Sequence, residues 1–108
     1  MKHIITMLFA LVFLSCLFTA VAAAPDTQRQ AELLYLLKHD CGSCHGMTRK
    51  GGLGPRLLPE ALSDRPQLLL VNTVLDGRSG TPMPPWRGQL TESEVQWLVD
   101  VLRNGEGL

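Results

Sequence analysis

The chain has 108 residues, with ten Lys and Arg against ten Asp and Glu, and 45% of its residues are hydrophobic. A balanced charge carries no basic footprint of the kind that binds nucleic acid. The length allows a single small domain.

The first 24 residues read as an export signal. Lys2 and His3 form a short basic start, Ile4 to Phe18 is an apolar run broken only by Thr6, Ser15 and Cys16, and Ala20-Val21-Ala22-Ala23-Ala24 supplies small residues for cleavage. Cleavage is expected after Ala22, Ala23 or Ala24, with Ala24 the least favoured because Pro25 would then be the first residue. Two other uses of the segment compete. A permanent anchor needs about 20 apolar residues to span a bilayer, and this run is short. A lipid attached at Cys16 would need a better preceding sequence than Phe13-Leu14-Ser15. The expected division is therefore 1–24 as signal and 25–108 as one domain. No stable membrane insertion is expected after cleavage. Removing the signal takes Lys2 and no acid, leaving nine basic residues against ten acidic ones, and takes Cys16, leaving Cys41 and Cys44. A domain of about 85 residues has a marginal core and often adds a metal, a disulfide or a cofactor.

A first helix is expected from a cap at Asp26 or Thr27 to about Lys38, with Ala31, Leu34, Tyr35 and Leu37 (or the stem of Lys38) on its apolar face. Then comes Cys41-Gly42-Ser43-Cys44-His45. C-x-x-C-H is the attachment signature of a c-type haem. Each vinyl group of the macrocycle takes one thiol as a thioether, two intervening residues bring both thiols to one edge, and the next residue lies under the iron as an axial ligand. Small Gly42 and Ser43 crowd neither. A thioredoxin-like pair would sit near a βαβ pattern, and no strand run is visible. A zinc site needs four ligands, and Cys41, Cys44, His45 and His39 are too clustered to supply them. A plain disulfide leaves His45 unexplained. His39 is expected to be exposed or locally bonded.

Two loops and two helices complete the chain. Gly51-Gly52-Leu53-Gly54-Pro55-Arg56-Leu57 is a glycine-rich turn. Asp64-Arg65-Pro66-Gln67 reads as a capping box with Pro66 in the first turn of a second helix that runs through Leu75 and stops before Gly77. Gly80-Thr81-Pro82-Met83-Pro84-Pro85-Trp86 excludes helix and presents Met83 from stiff extended backbone, unlike a core methionine in periodic apolar sequence. Thr91-Glu92-Ser93-Glu94 is a second capping box. It opens a third helix with Val95, Leu98, Val101 and Leu102 on one face, ending near Asn104-Gly105.

Helix, C-x-x-C-H, glycine-proline loop, helix, methionine loop and helix, in that order, resemble the class I c-type cytochromes. The resemblance covers nearly all of residues 25–108. It implies an all-α class I cytochrome c fold, three main helices around one covalently bound haem. It further implies Cys41 and Cys44 as the covalent attachment, His45 and Met83 as the axial iron ligands, and the Pro55 carbonyl as acceptor of the His45 N–H. Such a bond would fix the ring and raise its basicity as a ligand. Ala31 stands where the family usually has glycine at the crossing of first and last helices. Tyr35 is a residue or two further from the first cysteine than is usual.

Filled axial positions leave no site for substrate, which argues for a single-electron carrier rather than an enzyme. His/Met ligation raises the reduction potential, and an apolar wall of Leu53, Leu57, Leu58, Leu69 and Trp86 is expected to add to that by excluding water. Arg49, Lys50, Arg56, Arg78 and Arg87 lie in the two loops with no acid among them, so the haem edge is expected to be basic. That basic edge either docks an acidic partner, or Arg56 or Arg87 neutralises the haem propionates. Tyr35-Leu36-Leu37-Lys38-His39-Asp40 before the motif, with the two loops, looks like the small cytochromes c-55X encoded with the nitrite reductase of denitrifying bacteria. That likeness implies a periplasmic protein that donates electrons to a haem-cd type nitrite reductase, or one that acts in maturing that enzyme's special haem; a monomer is expected.

Overall fold

The computed structural model describes residues 22–107. The expected signal peptide falls almost wholly outside them. Helices α1 (Thr27–Leu36), α2 (Gly42–His45), α3 (Pro59–Leu62), α4 (Gln67–Asp76) and α5 (Glu92–Asn104) form the frame, and no strand occurs among the described residues. The long elements are α1, α4 and α5, as the sequence pattern predicts.

Asp26 caps α1 by accepting the Arg29 amide at 2.8 Å. The helix does not stop near Lys38. Leu37–Cys41 form a π-helical turn that runs directly into α2, so one continuous helical stretch delivers the cysteine motif. A π turn accommodates one extra residue in a helix and rotates the residues after it. It absorbs the longer spacing between Tyr35 and Cys41, while keeping Leu37 buried at 3% exposure ahead of the motif.

The apolar face of α1 also differs from expectation. Ala31 is exposed and Tyr35 is 67% exposed, while Leu33 is fully buried and pairs with Leu37 four residues on. Two i, i+4 pairs compete in this segment, and the one with two leucines removes more apolar surface from water. The helix therefore turns Leu33 and Leu37 inward, with Leu34 packed beside them. Ala31 and Tyr35 take no part in the crossing with α5.

The start of α4 is a second correction. Pro66 is the N-cap with ψ 138°, and no side chain caps this end. The residue before a proline is driven away from helical backbone, so Arg65 cannot extend the helix backwards to Asp64. Gln67 instead reaches α5, donating to Asp100 Oδ1 at 2.8 Å and accepting from Arg103 at 3.5 Å. At α5 the expected capping box is complete. Glu94 N donates to Thr91 Oγ1 at 3.2 Å and Thr91 N donates to Glu94 Oε2 at 2.9 Å. A cap of this kind stabilises a helix by about 1 kcal/mol. Gly105 closes the helix in left-handed backbone.

Val95, Leu98, Val99, Val101 and Leu102 of α5 pack with Leu33, Leu37, Val71 and Leu75 in one core cluster. Arg29 ties the outer end of α1 to α5, its Nε 2.6 Å from Glu94 Oε1. The single-turn α3, which the sequence pattern does not reveal, buries Leu62 under α5.

Candidate functional site: a helix-borne Cys-x-x-Cys-His and the loops that frame it

Cys41 closes the π turn, and Gly42, Ser43, Cys44 and His45 form α2. Both cysteines are free and half-buried. The helical path puts the five residues from Cys41 to His45 in little more than one turn, so both thiols and the imidazole leave the same short stretch of backbone. Gly42 is closely covered: an added Cβ would lie 3.2 Å from Met47 Cα. Ser43 Oγ donates to the Asp40 carbonyl at 2.6 Å and lies 3.9 Å from Cys44 Sγ.

Burial, and secondarily the charge of Asp40, push the Cys41 thiol up to about 11. A thiol so protonated at neutral pH is a poor nucleophile for disulfide exchange, and the all-helical setting lacks the βαβ context of a thioredoxin-like pair. Among the described residues no group of three or more His, Cys, Asp or Glu is arranged to hold a metal ion by itself.

The segment after His45 folds back over the imidazole. Gly46, at φ +86, and Gly51, at φ +100, adopt backbone open chiefly to glycine. Gly51 N donates to the His45 carbonyl and Gly54 N to the Cys44 carbonyl, each at 2.8 Å. The loop is thereby laced to α2 itself. His45 Nδ1 then lies 2.7 Å from the Pro55 carbonyl oxygen. A carbonyl only accepts, so Nδ1 carries a proton here, and Nε2 is the nitrogen left for a ligand role. Gly54 is packed flat on the ring: an added Cβ would stand 2.8 Å from His45 Cε1 and Nδ1. An imidazole held by one nitrogen and pressed by backbone on one side is oriented to offer the other nitrogen as a ligand.

Met83 lies in the loop between α4 and α5 and is half-buried. Trp86 N and Arg87 N close the base of this loop on the Val74 and Leu75 carbonyls at 3.0 to 3.2 Å. Those carbonyls sit at the C-terminal end of α4, where helical partners run out. Gly77, which in sequence shows only as a helix stop, lies under Met83 and its prolines. Its position just past a helix is the one signal the sequence offers.

Of the expected apolar wall, Leu57 and Trp86 pack on the core, and Leu58 is half-buried. Leu53 is 77% and Leu69 50% exposed, with Leu68 at 66% beside it. The expected basic edge is smaller than the sequence suggests. Arg49 is buried at 7% exposure, with φ +62, and its Nη1 donates to the Glu106 carbonyl at 2.8 Å. It ties the histidine loop to the end of α5, and burial lowers its pKa. Arg87 pairs with Asp76 at 2.8 Å on the surface. Lys50, Arg56 and Arg78 remain exposed. His39 is exposed and its ring lies against that of Tyr35, centroids 4.2 Å apart and planes tilted by 38°.

Comparison with known proteins supports the same identification. The family model described as cytochrome C oxidase, cbb3-type, subunit III matches residues 28–101. A cytochrome c55X of Pseudomonas aeruginosa is 52% identical over 105 residues, 97% of this chain and 88% of the relative. The solved structure of a c-type cytochrome NirC superposes with a TM-score of 0.75 at 58% identity, covering 76% of this chain and 96% of that one. Dihydro-heme d1 dehydrogenase of Pseudomonas aeruginosa is 37% identical over 89 residues, which are 82% of this chain but only 17% of that protein.

Proposed function

The chain belongs to the c-type cytochromes, among the small cytochromes c55X, and from that premise we propose that it is a periplasmic one-electron carrier with one covalent haem c. The family implies the haem. Cys41 and Cys44 would hold it as thioethers, with His45 and Met83 as axial ligands. The donor set fits: two free thiols, an imidazole with an unshared Nε2 pair, and a thioether presented from a proline-stiffened loop. Leu53 in the histidine loop and Leu68 and Leu69 on α4 are each exposed, as side chains that would cover a haem are before it is bound.

When bound, the haem supplies a single reversible electron at its iron. The protein's residues do the rest. Pro55 fixes the protonated Nδ1 of His45, which keeps Nε2 aimed and basic. Gly54 blocks rotation of the ring. Met83 favours the reduced state through its thioether. Leu57 and Trp86 keep water from the site. Lys50, Arg56 and Arg78 give the loop surface a positive face toward an acidic redox partner, with Arg56 alternatively meeting the propionates.

The observation that carries this reading is the 2.7 Å contact between His45 Nδ1 and the Pro55 carbonyl within a helix-borne Cys-x-x-Cys-His. The partner we propose is a haem-cd type nitrite reductase. Rapid mixing of the reduced protein with that reductase tests it. Fast oxidation that slows with added salt supports the shuttle, and oxidation no faster than by an unrelated cytochrome refutes it.

The likeness to dihydro-heme d1 dehydrogenase favours a second role, as a redox helper in maturation of the reductase's special haem. Deleting the gene separates the two. A fully assembled reductase starved of electrons supports the shuttle, and a reductase lacking its special haem supports maturation.

A further inference from the structure

Helix α4 ends at Asp76, and the chain reverses at Gly77 with φ +68 and ψ −169. This region of backbone space is open essentially to glycine alone. Gly77 is also tightly covered. An added Cβ would lie 2.7 Å from the Met83 carbonyl oxygen, 2.8 Å from the Pro84 carbonyl carbon and 2.8 Å from Pro85 N. The chain runs outward through Ser79 and Gly80 and returns so that the backbone of Met83 to Pro85 rests on Gly77.

The few polar contacts of the loop converge on the same place. Arg78 N donates to the Met83 carbonyl at 3.2 Å. Thr81 Oγ1 donates to the Arg78 carbonyl at 2.7 Å and accepts from Met83 N at 3.4 Å. Pro82, Pro84 and Pro85 have no amide hydrogen, so Met83 N is the one backbone donor that Pro82 to Pro85 themselves offer. A methionine side chain has three rotatable bonds and adapts readily. Its reach is fixed by the backbone from which it starts.

We propose that Gly77 and Thr81 are positioning residues for Met83: the bare Cα of Gly77 is the floor on which the Met83–Pro85 backbone rests, and the Thr81 hydroxyl links that backbone to Arg78. The proposal rests on Met83 being an axial ligand. Gly80 provides the internal contrast. It lies in the same loop with φ +76, yet an added Cβ there meets nothing within 4 Å. Gly77 and Gly80 therefore share a positive φ and differ in contact.

The test uses the holoprotein with covalent haem, as wild type, Gly77→Ala, Thr81→Val and Gly80→Ala. The readouts are the weak long-wavelength sulfur-to-iron band of the ferric protein, the affinity of the ferric protein for imidazole, and helix content. Gly77→Ala is expected to lose the band and to bind imidazole about tenfold more tightly, because a larger open fraction raises apparent affinity in proportion. Thr81→Val is expected to keep the band and bind imidazole about threefold more tightly. Gly80→Ala carries the backbone strain of a side chain at positive φ without the contact and is expected to keep the band and the wild-type imidazole affinity, and helix content is unchanged throughout. A Gly77→Ala protein with the wild-type band and affinity overturns the proposal, as does a Gly80→Ala protein as perturbed as Gly77→Ala. If Gly77→Ala yields no holoprotein, Thr81→Val decides: tighter imidazole binding supports the seat, and unchanged binding overturns it. A wild type without the band overturns the ligand assignment of Met83, and the proposal with it, whereas retention in Gly77→Ala alone leaves that assignment standing.

Discussion

From His45 to Leu57 the amides of Gly46, Arg49, Gly51, Gly52, Gly54 and Leu57 all donate to carbonyls within the same segment or α2, at 2.8 to 3.0 Å. From Gly77 to Pro85 the amide contacts are sparser and longer, Arg78 N to the Met83 carbonyl at 3.2 Å, Thr81 N to the Arg78 carbonyl at 3.0 Å and Met83 N to a hydroxyl at 3.4 Å, with one short side-chain bond from Thr81 Oγ1 to the Arg78 carbonyl at 2.7 Å. The first loop orients a histidine through a dense web anchored on the helix that carries it. The second presents a methionine from a short arch held by prolines, one glycine and its two feet on α4. One side is preorganised by hydrogen bonds, and the other by restricted backbone. Regions with few internal bonds open first, so the methionine side is where this protein gives way.

The strongest way to break the comparison is to remove the group that joins the two loops. Replacing Cys41 and Cys44 together by alanine is expected to abolish covalent haem, read as a complete loss of haem stain on a denaturing gel. On the proposed ligation the two loops then no longer share a partner.

Gly54→Ala is expected to be costlier than Gly80→Ala. The new methyl meets the His45 ring, and overpacking of this kind costs about 1–3 kcal/mol. Urea unfolding of the two holoproteins compares the loops directly. Equal midpoints would remove the distinction between a packed histidine loop and an open tip in the methionine loop.

Arg49→Ala sharpens the histidine side. It releases the Glu106 and Gly107 carbonyls, which reach water, so the expected loss is about 1 kcal/mol. Hydrogen exchange at Gly105 and Glu106 should accelerate while exchange in α4 stays unchanged.

The smallest effect concerns pH. The hydrogen bond from Arg29, together with the Thr91 amide, holds the Glu94 carboxyl below its usual value. A lowered folded value means stability that is present above the unfolded value, about 4.3, and lost as pH falls through the folded one. Glu94→Gln keeps a capping side chain at this position and removes the charge. Its melting temperature is expected to fall less steeply than the wild type's below about pH 4.3, with both loops unaffected.

Local chemistry is legible in the sequence wherever it depends on neighbouring residues. Cys41, Cys44 and His45 follow from spacing, and the Thr91–Glu94 box from a four-residue pattern. Positions decided by distant contacts are not legible. Arg49 reads as a surface cation, yet its partners are carbonyls 57 and 58 residues on. Gln67 reads as half of a cap, and is instead drawn to Asp100 across the α4–α5 interface. Tyr35 lies an extra residue from the motif, which signals an irregularity without showing that a π turn absorbs it. Gly77 looks like any helix stop. Only the return of Met83 onto its Cα distinguishes it.

The central claim is that His45 and Met83 close the two faces of one haem, with the histidine fixed and the methionine poised. The ferric optical spectrum tests it most directly. The weak long-wavelength sulfur-to-iron band is expected in the wild type at neutral pH and is expected to vanish in Met83→Ala, with a reduction potential lower by about 0.1 V or more, since axial ligands set haem potentials over about 0.8 V. A wild-type spectrum without that band, or a Met83→Ala protein that retains it, would contradict the claim.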